Sequence, residues 1–347
     1  MALKDIIGQE KALRILKGCI IRDRIPHALM FSGDEGIGKR LTAIHYAKTL
    51  NCTGSDSNDL FASGPGQGSK DSQMEDTDSC DTCPSCIKID KGNHPDVFLL
   101  EPEGDGDQIK VAAVRQLQES LSYKPFEGKW KVVIIDNADR LNASAANAFL
   151  QTLEEPSANS ILILVTSRPE MIMPTIRSRC QRVNFSPLPL DKMRTLLEKE
   201  LHKFDHDASG IVSILSGGRL GYALSEDLIM KRDRTFGSFT EMLRGPDGEA
   251  WQSREEMDEW FEWVLLWIRD IAVFKATNSK DLLINSDKIS EIRRVSASSG
   301  LRDILNLARE LYNIKGRLAV NLNKQLTFNY TSLLLRNKLG IKNVREQ

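Results

Sequence analysis

A glycine-rich loop between a buried strand and a helix limits this chain to a small group of folds. The apolar run Ala28–Phe31 leads into a Gly-x-x-x-x-Gly-Lys loop, and a helix is predicted over 41–50. Backbone N–H groups and the lysine of such a loop cradle phosphate. The candidate nucleotide-binding residues are therefore Gly33, Gly36, Gly38 and Lys39. Further apolar strands alternate with helices, which favours an α/β fold with a parallel sheet covered on both faces. Those strands are predicted over 96–100, 131–136, 161–166 and 182–185.

Two later segments complete a nucleotide pocket only in part. Asp136 ends one predicted strand, where it either faces a metal ion or caps the strand. Thr166 ends the next strand, where its hydroxyl either contacts a terminal phosphate or satisfies loop backbone. Position 40 is arginine instead of the Ser or Thr whose hydroxyl ligates Mg²⁺. Asn137 stands where an active ATPase of this type carries a water-activating glutamate. We therefore expect a defective magnesium site, and the sequence leaves open whether ATP or ADP binds.

Cysteines at a chelating spacing indicate a structural metal site. Cys80-x-x-Cys83-x-x-Cys86 has the spacing of a zinc knuckle, and the fourth ligand is Cys52 or, as an alternative, His94. An iron–sulfur cluster and free thiols are the competing interpretations. Between Cys52 and Cys80, the stretch 53–79 is more than half Gly, Ser and Asp, which predicts a mobile insertion.

Composition narrows the class of protein. The 347 residues allow two or three domains, and 47 basic against 48 acidic residues leave no broad basic field for nucleic acid. The sequence shows no apolar signal core and no uncharged run long enough to span a membrane. We therefore expect a soluble cytoplasmic protein with no membrane contact, whose six cysteines are reduced or metal-bound.

The second half of the chain is predicted to be helical. Pro187-Leu188-Pro189 ends the sheet region, because two prolines resist continued helix or strand. A small helical unit is predicted over 190–228, and helices continue from there to residue 347. The residues Trp260, Val264, Trp267, Ile271 and Phe274 share one helix face, which indicates a packed core.

Several ordered motifs resemble those of the bacterial sliding-clamp loader subunits of the AAA+ ATPase superfamily. Besides the glycine loop they read Ile7-Gly8-Gln9, Ile25-Pro26-His27-Ala28-Leu29, Ile135-Asp136-Asn137-Ala138-Asp139, Leu153-Glu154-Glu155-Pro156 and Pro174-Thr175-Ile176-Arg177-Ser178-Arg179-Cys180. The resemblance covers residues 1 to about 225, with a weaker likeness at Asn321-Leu322-Asn323 and Leu333-Leu334-Leu335. It implies an AAA+ domain over 1–187 with a zinc module at about 52–90, a helical lid over 188–228 and an all-helical collar over 229–347.

Within that family the chain resembles the delta prime subunits of DNA polymerase III more than the tau/gamma motor subunits. The motor subunits carry a nucleotide-contacting arginine two residues before an Ala-Leu pair, and this chain has Gly221 there. The resemblance implies that Arg179 enters the ATP site of a neighbouring gamma subunit as an arginine finger. We expect Arg179 to be accessible, close to the Thr166-Ser167 strand end and far from Lys39.

The resemblance also implies a set of partners. These are the gamma/tau and delta subunits in a hetero-oligomer, and the sliding clamp and primer-template DNA through the complex. Two other functions compete with a non-hydrolysing loader subunit. An active AAA+ motor of the tau/gamma kind is disfavoured by Arg40, Asn137 and Gly221. A zinc-dependent nucleic-acid-binding module is disfavoured by the lack of Lys/Arg runs near Cys80–Cys86.

Overall fold

Five parallel strands form one sheet in the computed structural model of this chain. Their order is β2-β3-β4-β1-β5, with β1 at Ala28–Ser32, β2 at Val97–Leu100, β3 at Lys131–Ile135, β4 at Ser160–Thr166 and β5 at Gln181–Asn184. The central strands β1, β3 and β4 are buried along their whole length, as continuous Val, Ile and Leu runs require. The predicted α/β fold with a parallel sheet is confirmed.

The structure describes residues 1–54, 77–102, 108–200, 204–225, 227–244, 251–317 and 323–339. Most of the stretch expected to be a mobile insertion, 55–76 of 53–79, lies outside the described residues. Contacts divide the chain into two compact units, residues 1–193 with 217–225 and residues 194–216 with 226–347. The domain boundaries expected at 187 and 228 stay predictions. None of the described helices is long and apolar enough to cross a membrane.

Helices cover both faces of the sheet. The helices up to residue 225 are, in chain order, α1 Glu10–Ile21, α2 Lys39–Leu50, α3 Pro84–Asp90, α4 Val111–Leu121, α5 Ala143–Glu154, α6 Pro174–Arg177, α7 Leu190–Thr195, α8 His206–Leu215 and α9 Leu220–Ser225, of which α8 belongs to the second compact unit. Phe31 packs in a core that includes Leu16 and Tyr46 of α1 and α2. Its neighbour Met30 packs in a second core, with Leu117 and Phe149 of α4 and α5. Successive strand residues thus serve opposite faces, as the pleat dictates.

The described regular elements of the second unit are all helices. Its main helices are α10 Leu228–Arg244, α11 Arg254–Thr277, α12 Ile289–Ser298, α13 Leu301–Arg317 and α14 Lys324–Leu339. Ser253 caps α11 by accepting a hydrogen bond from the Glu256 N–H, and Asn278 ends it in a left-handed conformation. The five residues expected on one face of α11 are all buried in the core of this unit. The prediction of an all-helical C-terminal region is confirmed.

Because all strands are parallel, they begin at one edge of the sheet, called the amino edge, and end at the opposite edge, called the carboxyl edge. The two edges carry different residues. At the carboxyl edge, Ser32 pairs with Thr166 and the chain leaves β3 at Asp136. At the amino edge, Leu29 pairs with Gln181, so residues just before β5 lie beside the start of β1. Helix α2 begins at the carboxyl edge and returns to the amino edge. There the Asn51 side chain exchanges two 2.9 Å hydrogen bonds with the backbone of Trp130, which precedes β3.

Candidate functional site

Lys39 of the glycine loop is satisfied by the loop itself. It begins α2, and its Nζ donates to the carbonyl oxygens of Gly33 at 2.7 Å and Asp34 at 2.5 Å. The side chain is buried, and burial lowers the pKa of Lys39 while nearby carboxylates, Asp136 first, raise it. Gly38 caps α2 in a left-handed conformation with φ of 92°, which glycine adopts without strain. The lysine is therefore held close to where a phosphate would bind, with two backbone carbonyls as its partners.

The N-terminal end of α9 packs directly against the loop. The Gly221 N–H donates to the Gly36 carbonyl at 2.7 Å. A Cβ added at Gly221 would lie 2.8 Å from that oxygen, and one at Gly36 would lie 2.9 Å from the backbone nitrogen of Tyr222. Position 221 therefore has no space for a side chain unless the backbone at 36 or 221 shifts.

The loop is also fastened from the start of the chain. Gln9 is buried, and its Nε2 donates to the carbonyls of Ile37 at 3.2 Å and Ser186 at 2.8 Å. Its Oε1 accepts the Ser186 N–H at 3.3 Å. The Ile7-Gly8-Gln9 motif thus ties the loop to the segment that follows β5.

Arg40 lies between two carboxylates at the carboxyl edge. Its Nη1 forms an ion pair with Glu101 and lies 3.6 Å from Oδ2 of Asp136. Asp136 is the carboxylate that the sequence predicts to face a metal ion. In this structure the Arg40 guanidinium is the cationic group beside it. The next hydroxyl along α2 belongs to Thr42, which is buried and donates to the Gly38 carbonyl at 2.9 Å. Glu101 was missed by sequence reasoning, because no motif marks it.

Thr166 and Asn137 are engaged in local contacts. The Thr166 hydroxyl donates to Oδ1 of Asp139 at 2.7 Å and accepts the Arg168 N–H at 3.0 Å. Asn137 has a φ of 49°, a left-handed conformation that asparagine tolerates better than most residues, and its N–H donates to Asp136 at 3.0 Å. The structure thus gathers Gly33, Lys39, Asp136 and Thr166 at one edge, with their polar groups largely bonded to each other or to close neighbours.

Arg179 lies at the opposite edge of the sheet. It follows α6 and precedes Gln181, the first residue of β5, whose partner Leu29 lies near the start of β1. The expectation that Arg179 lies near the Thr166-Ser167 strand end is therefore wrong, because that strand end belongs to the carboxyl edge. The reason is topological: the connection from β4 to a parallel β5 must return to the amino edge.

The Arg179 guanidinium is partly exposed and has two partners within its own chain. Nη2 forms an ion pair with Oε1 of Glu154 at 2.7 Å, and Nη1 donates to the Thr175 carbonyl at 3.0 Å. The Arg179 side chain is 38% exposed and that of Glu154 is 52% exposed. Sequence reasoning placed Glu154 in a motif but did not connect it with Arg179.

Four cysteines converge at the amino edge. The sulfur atoms of Cys52, Cys80, Cys83 and Cys86 all lie within 4.8 Å of one another. Cys52 follows α2, and Cys83 caps α3 by accepting a hydrogen bond from the Cys86 N–H at 3.4 Å. His94 is engaged elsewhere: it contacts the Ser85 hydroxyl at 3.1 Å and accepts the Asp96 N–H at 3.1 Å. Cys52, and not His94, therefore completes the cluster.

The cluster has the dimensions and chemistry of a tetrathiolate metal site. Sulfur ligands about 2.3 Å from a tetrahedral zinc ion lie roughly 3.8 Å apart, which is within the 4.8 Å limit that contains all four sulfur atoms here. Burial raises the pKa of both Cys83 and Cys86, but hydrogen bonds from Thr53 and the Cys86 backbone outweigh it at Cys83 and lower the pKa of that thiol, whereas the pKa of Cys86 stays raised. Metals bind the thiolate form, so metal binding at this cluster would release protons. The four residues could therefore bind a metal ion.

A buried lysine joins the cysteine cluster to α2. Lys48 is fully buried, and its Nζ lies 2.7 Å from Asp81 and 2.5 Å from Asp90. Asp81 stands between two of the cysteines in the chain, and Asp90 ends α3. Asp78, at the end of the expected mobile stretch, accepts the backbone N–H groups of Leu3 and Lys4 at 2.8 Å. The described part of the cysteine segment is thus fixed to the sheet domain.

Comparisons with known proteins agree with this arrangement of residues. Residues 8–189 match the family model for the DNA polymerase III delta subunit, and residues 249–337 match that for its C-terminal region. A Bacillus subtilis protein named DNA polymerase III subunit delta prime is 28% identical, covering 94% of this chain and 96% of its own. A delta prime subunit of Pseudomonas aeruginosa is 29% identical, covering 86% of this chain and 88% of its own.

Tau and gamma subunits of DNA polymerase III match a smaller part of the chain. The tau subunit of Escherichia coli DNA polymerase III is 32% identical over 57% of this chain, but the match covers only 28% of tau. The delta prime relatives are matched almost end to end, and the first family model takes in more than half of the chain. The chain therefore belongs to the DNA polymerase III delta subunit family, and its resemblance to the delta prime clamp-loader subunits is confirmed.

Proposed function

We propose that this chain is a delta prime-type subunit that supports ATP-dependent loading of the sliding clamp onto DNA without hydrolysing ATP itself. In this role it supplies Arg179 to the ATP site of a neighbouring gamma subunit. Its direct partners are gamma/tau and delta subunits, and it meets the clamp and primer-template DNA through the complex. The names of its relatives, which include both delta prime and tau subunits, support such a hetero-oligomer.

The carboxyl-edge pocket supports the absence of hydrolysis. Arg40 brings a guanidinium to Asp136, where a hydrolytic site holds Mg²⁺. Asn137 can hydrogen-bond water but cannot take its proton, so it cannot serve as the general base. Gly221 has no side chain and no room for one beside Gly36. Each of these positions removes a separate requirement of phosphoryl transfer.

The position of Arg179 carries the proposal. It lies at the amino edge, whereas Lys39 lies at the carboxyl edge, so Arg179 is positioned to reach a different chain and not its own pocket. Its ion pair with Glu154 is partly exposed, and such pairs contribute at most about 1 kcal/mol. A neighbour's triphosphate, which carries more charge, can therefore replace Glu154 as the partner of Arg179.

We also propose that the four cysteines hold a structural zinc ion. A closed site with four thiolates stabilises the fold and leaves no open position for catalysis. The ion pairs of Lys48 with Asp81 and Asp90 support a structural role, because they fasten the cysteine segment to α2. The proposal assigns the site no step in nucleotide chemistry.

Reconstitution of the loader with an Arg179→Ala subunit tests the function. ATP turnover stimulated by DNA and clamp should fall strongly, because an arginine finger contributes roughly 10³–10⁵ in rate at its site, although turnover at other sites reduces the visible loss. Arg179→Lys should rescue little, since lysine lacks the planar fork. Arg302→Ala, a change of an exposed arginine on α13, is the control and should leave turnover intact.

Two outcomes would contradict this function. Normal stimulated turnover in a fully assembled Arg179→Ala complex would mean that Arg179 is a surface residue with no role in the neighbour's site. ATP turnover by the purified chain alone, abolished by Lys39→Ala, would instead identify a motor of the tau/gamma kind. Gel filtration of each variant complex establishes that assembly is unchanged.

A further inference from the structure

The phosphate-loop fold implies a magnesium ion, and the residues at the carboxyl edge do not fit one. Mg²⁺ demands oxygen ligands in near-octahedral geometry, commonly a loop hydroxyl, a carboxylate and phosphate oxygens. Arg40 offers only N–H donors, and the Thr42 hydroxyl is buried and bonded to Gly38. The remaining protein ligand is Asp136, whose Oδ2 already lies 3.6 Å from Arg40 Nη1.

Arg40 also places a positive charge beside Asp136, where Mg²⁺ would bind. Its side chain is 46% exposed, but Glu101 pairs with the same Nη1 that faces Asp136, so both carboxylates favour a position of the guanidinium between them. Glu101 follows β2 and Asp136 follows β3, and these strands are neighbours in the sheet. Two adjacent strand ends therefore hold one guanidinium between them. A divalent cation at Asp136 would have to displace it or accept a like charge a few ångströms away.

We infer that Arg40, held by Glu101, excludes divalent cations from this pocket, and that this one side chain separates the chain from magnesium-dependent nucleotide binding. The inference rests on the proposed function and deepens it, since it names the residue pair that determines which ligand the pocket accepts. The rest of the phosphate cradle is intact: the loop glycines keep their positive φ angles and Lys39 stands at the start of α2. Asn137 and Gly221 still withhold hydrolysis after Arg40 is changed.

The experiment restores the hydroxyl that such loops normally carry. ADP is titrated calorimetrically into the full-length chain, once with MgCl₂ and once with EDTA. Wild type should show no gain in ADP affinity on adding magnesium. Arg40→Ser should bind ADP on the order of tenfold more tightly with MgCl₂ than with EDTA, because the hydroxyl and the released Asp136 then both face the ion. Arg40→Thr repeats the test with the other natural hydroxyl, in case the serine variant folds poorly.

Matched variants separate the charge from the hydroxyl. Arg40→Lys keeps the cation and supplies no oxygen ligand, so it should stay insensitive to magnesium. Lys39→Ala combined with Arg40→Ser should abolish the regained binding, because the ion must act together with the phosphate loop. Circular dichroism and metal content establish that each variant is folded.

Three results would overturn the inference. They are ADP binding by wild type that strengthens tenfold with magnesium, no magnesium-dependent gain in either hydroxyl variant, and a gain that survives loss of Lys39. The assay uses the chain alone and does not involve Arg179. Failure of the inference is therefore distinct from failure of the proposed function, which is measured in the assembled loader.

Discussion

Both the carboxyl edge and the amino edge of the sheet carry basic side chains, but the partners of those side chains differ. At the carboxyl edge, Lys39 and Arg40 are matched to carbonyl or carboxylate oxygens of the same chain. At the amino edge, the partners of Arg179 among the described residues are a partly exposed carboxylate and one carbonyl, and four sulfur atoms lie within 4.8 Å of one another. At the carboxyl edge a guanidinium thus lies beside the carboxylate that a metal ion would use, whereas at the amino edge four sulfur atoms could bind a metal ion.

The difference follows from where each partner comes from. Glu101 and Asp136 follow neighbouring strands of the same sheet, so the fold itself brings them to Arg40. Glu154 is the last residue of α5, at a helix end, and its side chain is more exposed than Arg179. Arg40 and Arg179 are exposed to a similar degree, 46% and 38%, so the difference lies in their partners: two carboxylates from adjacent strand ends for Arg40, and one carboxylate at a helix end for Arg179.

The largest expected effect is on the metal at the amino edge. Cys83→Ser should lower zinc from about one ion per chain to nearly none and destabilise the protein by more than about 4 kcal/mol, since a structural metal is lost. Elemental analysis and thermal unfolding measure both. Cys19→Ser, a half-buried cysteine outside the cluster, is the control and should retain zinc. A wild-type protein without zinc, or with an iron absorbance band, would refute the assignment.

A buried carboxylate at the same edge should produce the next largest effect. Asp96 is buried and accepts the backbone N–H groups of Phe126, Glu127 and Gly128 at 2.7, 2.8 and 2.8 Å. Asp96→Asn replaces one acceptor oxygen with a donor, so stability at pH 7 should fall by about 2 kcal/mol in urea unfolding. The exposed control Glu170→Gln should change little. An unaffected Asp96→Asn would mean that this loop is not held by the carboxylate.

The same residue predicts a pH dependence with a definite sign. Burial raises the pKa of Asp96, but the three backbone N–H groups outweigh it and leave the pKa below its ordinary value. Its contribution is therefore complete above the unfolded pKa of about 3.9 and is lost as the pH falls toward the folded value. The stability gap between wild type and Asp96→Asn should shrink between pH 5 and pH 3, as measured by urea unfolding. A gap that widens on acidification would contradict this.

A smaller effect on stability is expected when the ion pair of Arg179 with Glu154 is removed, and its size tests whether Arg179 is available to a neighbour. Glu154→Ala should change the free energy of unfolding by less than about 1 kcal/mol, because both side chains are partly exposed. Chemical denaturation of the lone chain measures it. Glu155→Ala, at the neighbouring position, is the matched control. A loss above about 2 kcal/mol would mean that Arg179 is a structural clamp and unavailable to a neighbour.

The smallest effect is expected at Lys39 in the assembled loader. Lys39→Ala should leave stimulated ATP turnover within about twofold of wild type, because this pocket lacks the groups that hydrolysis requires. The matched control is the loop lysine of a gamma subunit in the same complex, whose loss should reduce turnover far more. An equal loss from both changes would show that the carboxyl edge is a working site and erase the contrast.

Much of this arrangement follows from local patterns in the sequence. The apolar strand runs, the glycine loop and the Cys-x-x-Cys-x-x-Cys spacing each depend on residues close together in the chain, and the strands lie within a residue or so of their predicted bounds. Cys52 also follows from local structure, since α2 ends just before it and carries it to the amino edge.

The partners of the two arginines do not follow from such patterns. The pairing of Arg40 with Glu101 depends on the order of strands in the sheet, which hydrophobic periodicity does not encode. Position along the chain also gives the wrong place for Arg179. Arg179 is close to Thr166 in sequence, but the chain between them returns to the amino edge before β5 begins. That return could have been predicted, since parallel strands require a crossover.

The hydrogen bond between Gly221 and Gly36 limits which mutations position 221 can accept. One nucleotide change converts a glycine codon to an arginine codon, yet any Cβ at 221 would meet the Gly36 carbonyl at 2.8 Å. Backbone at 36 or 221 would have to move before any side chain could fit. Sterics therefore restrict position 221 to glycine, whereas the exposed side chain of Arg40 leaves position 40 open to other residues.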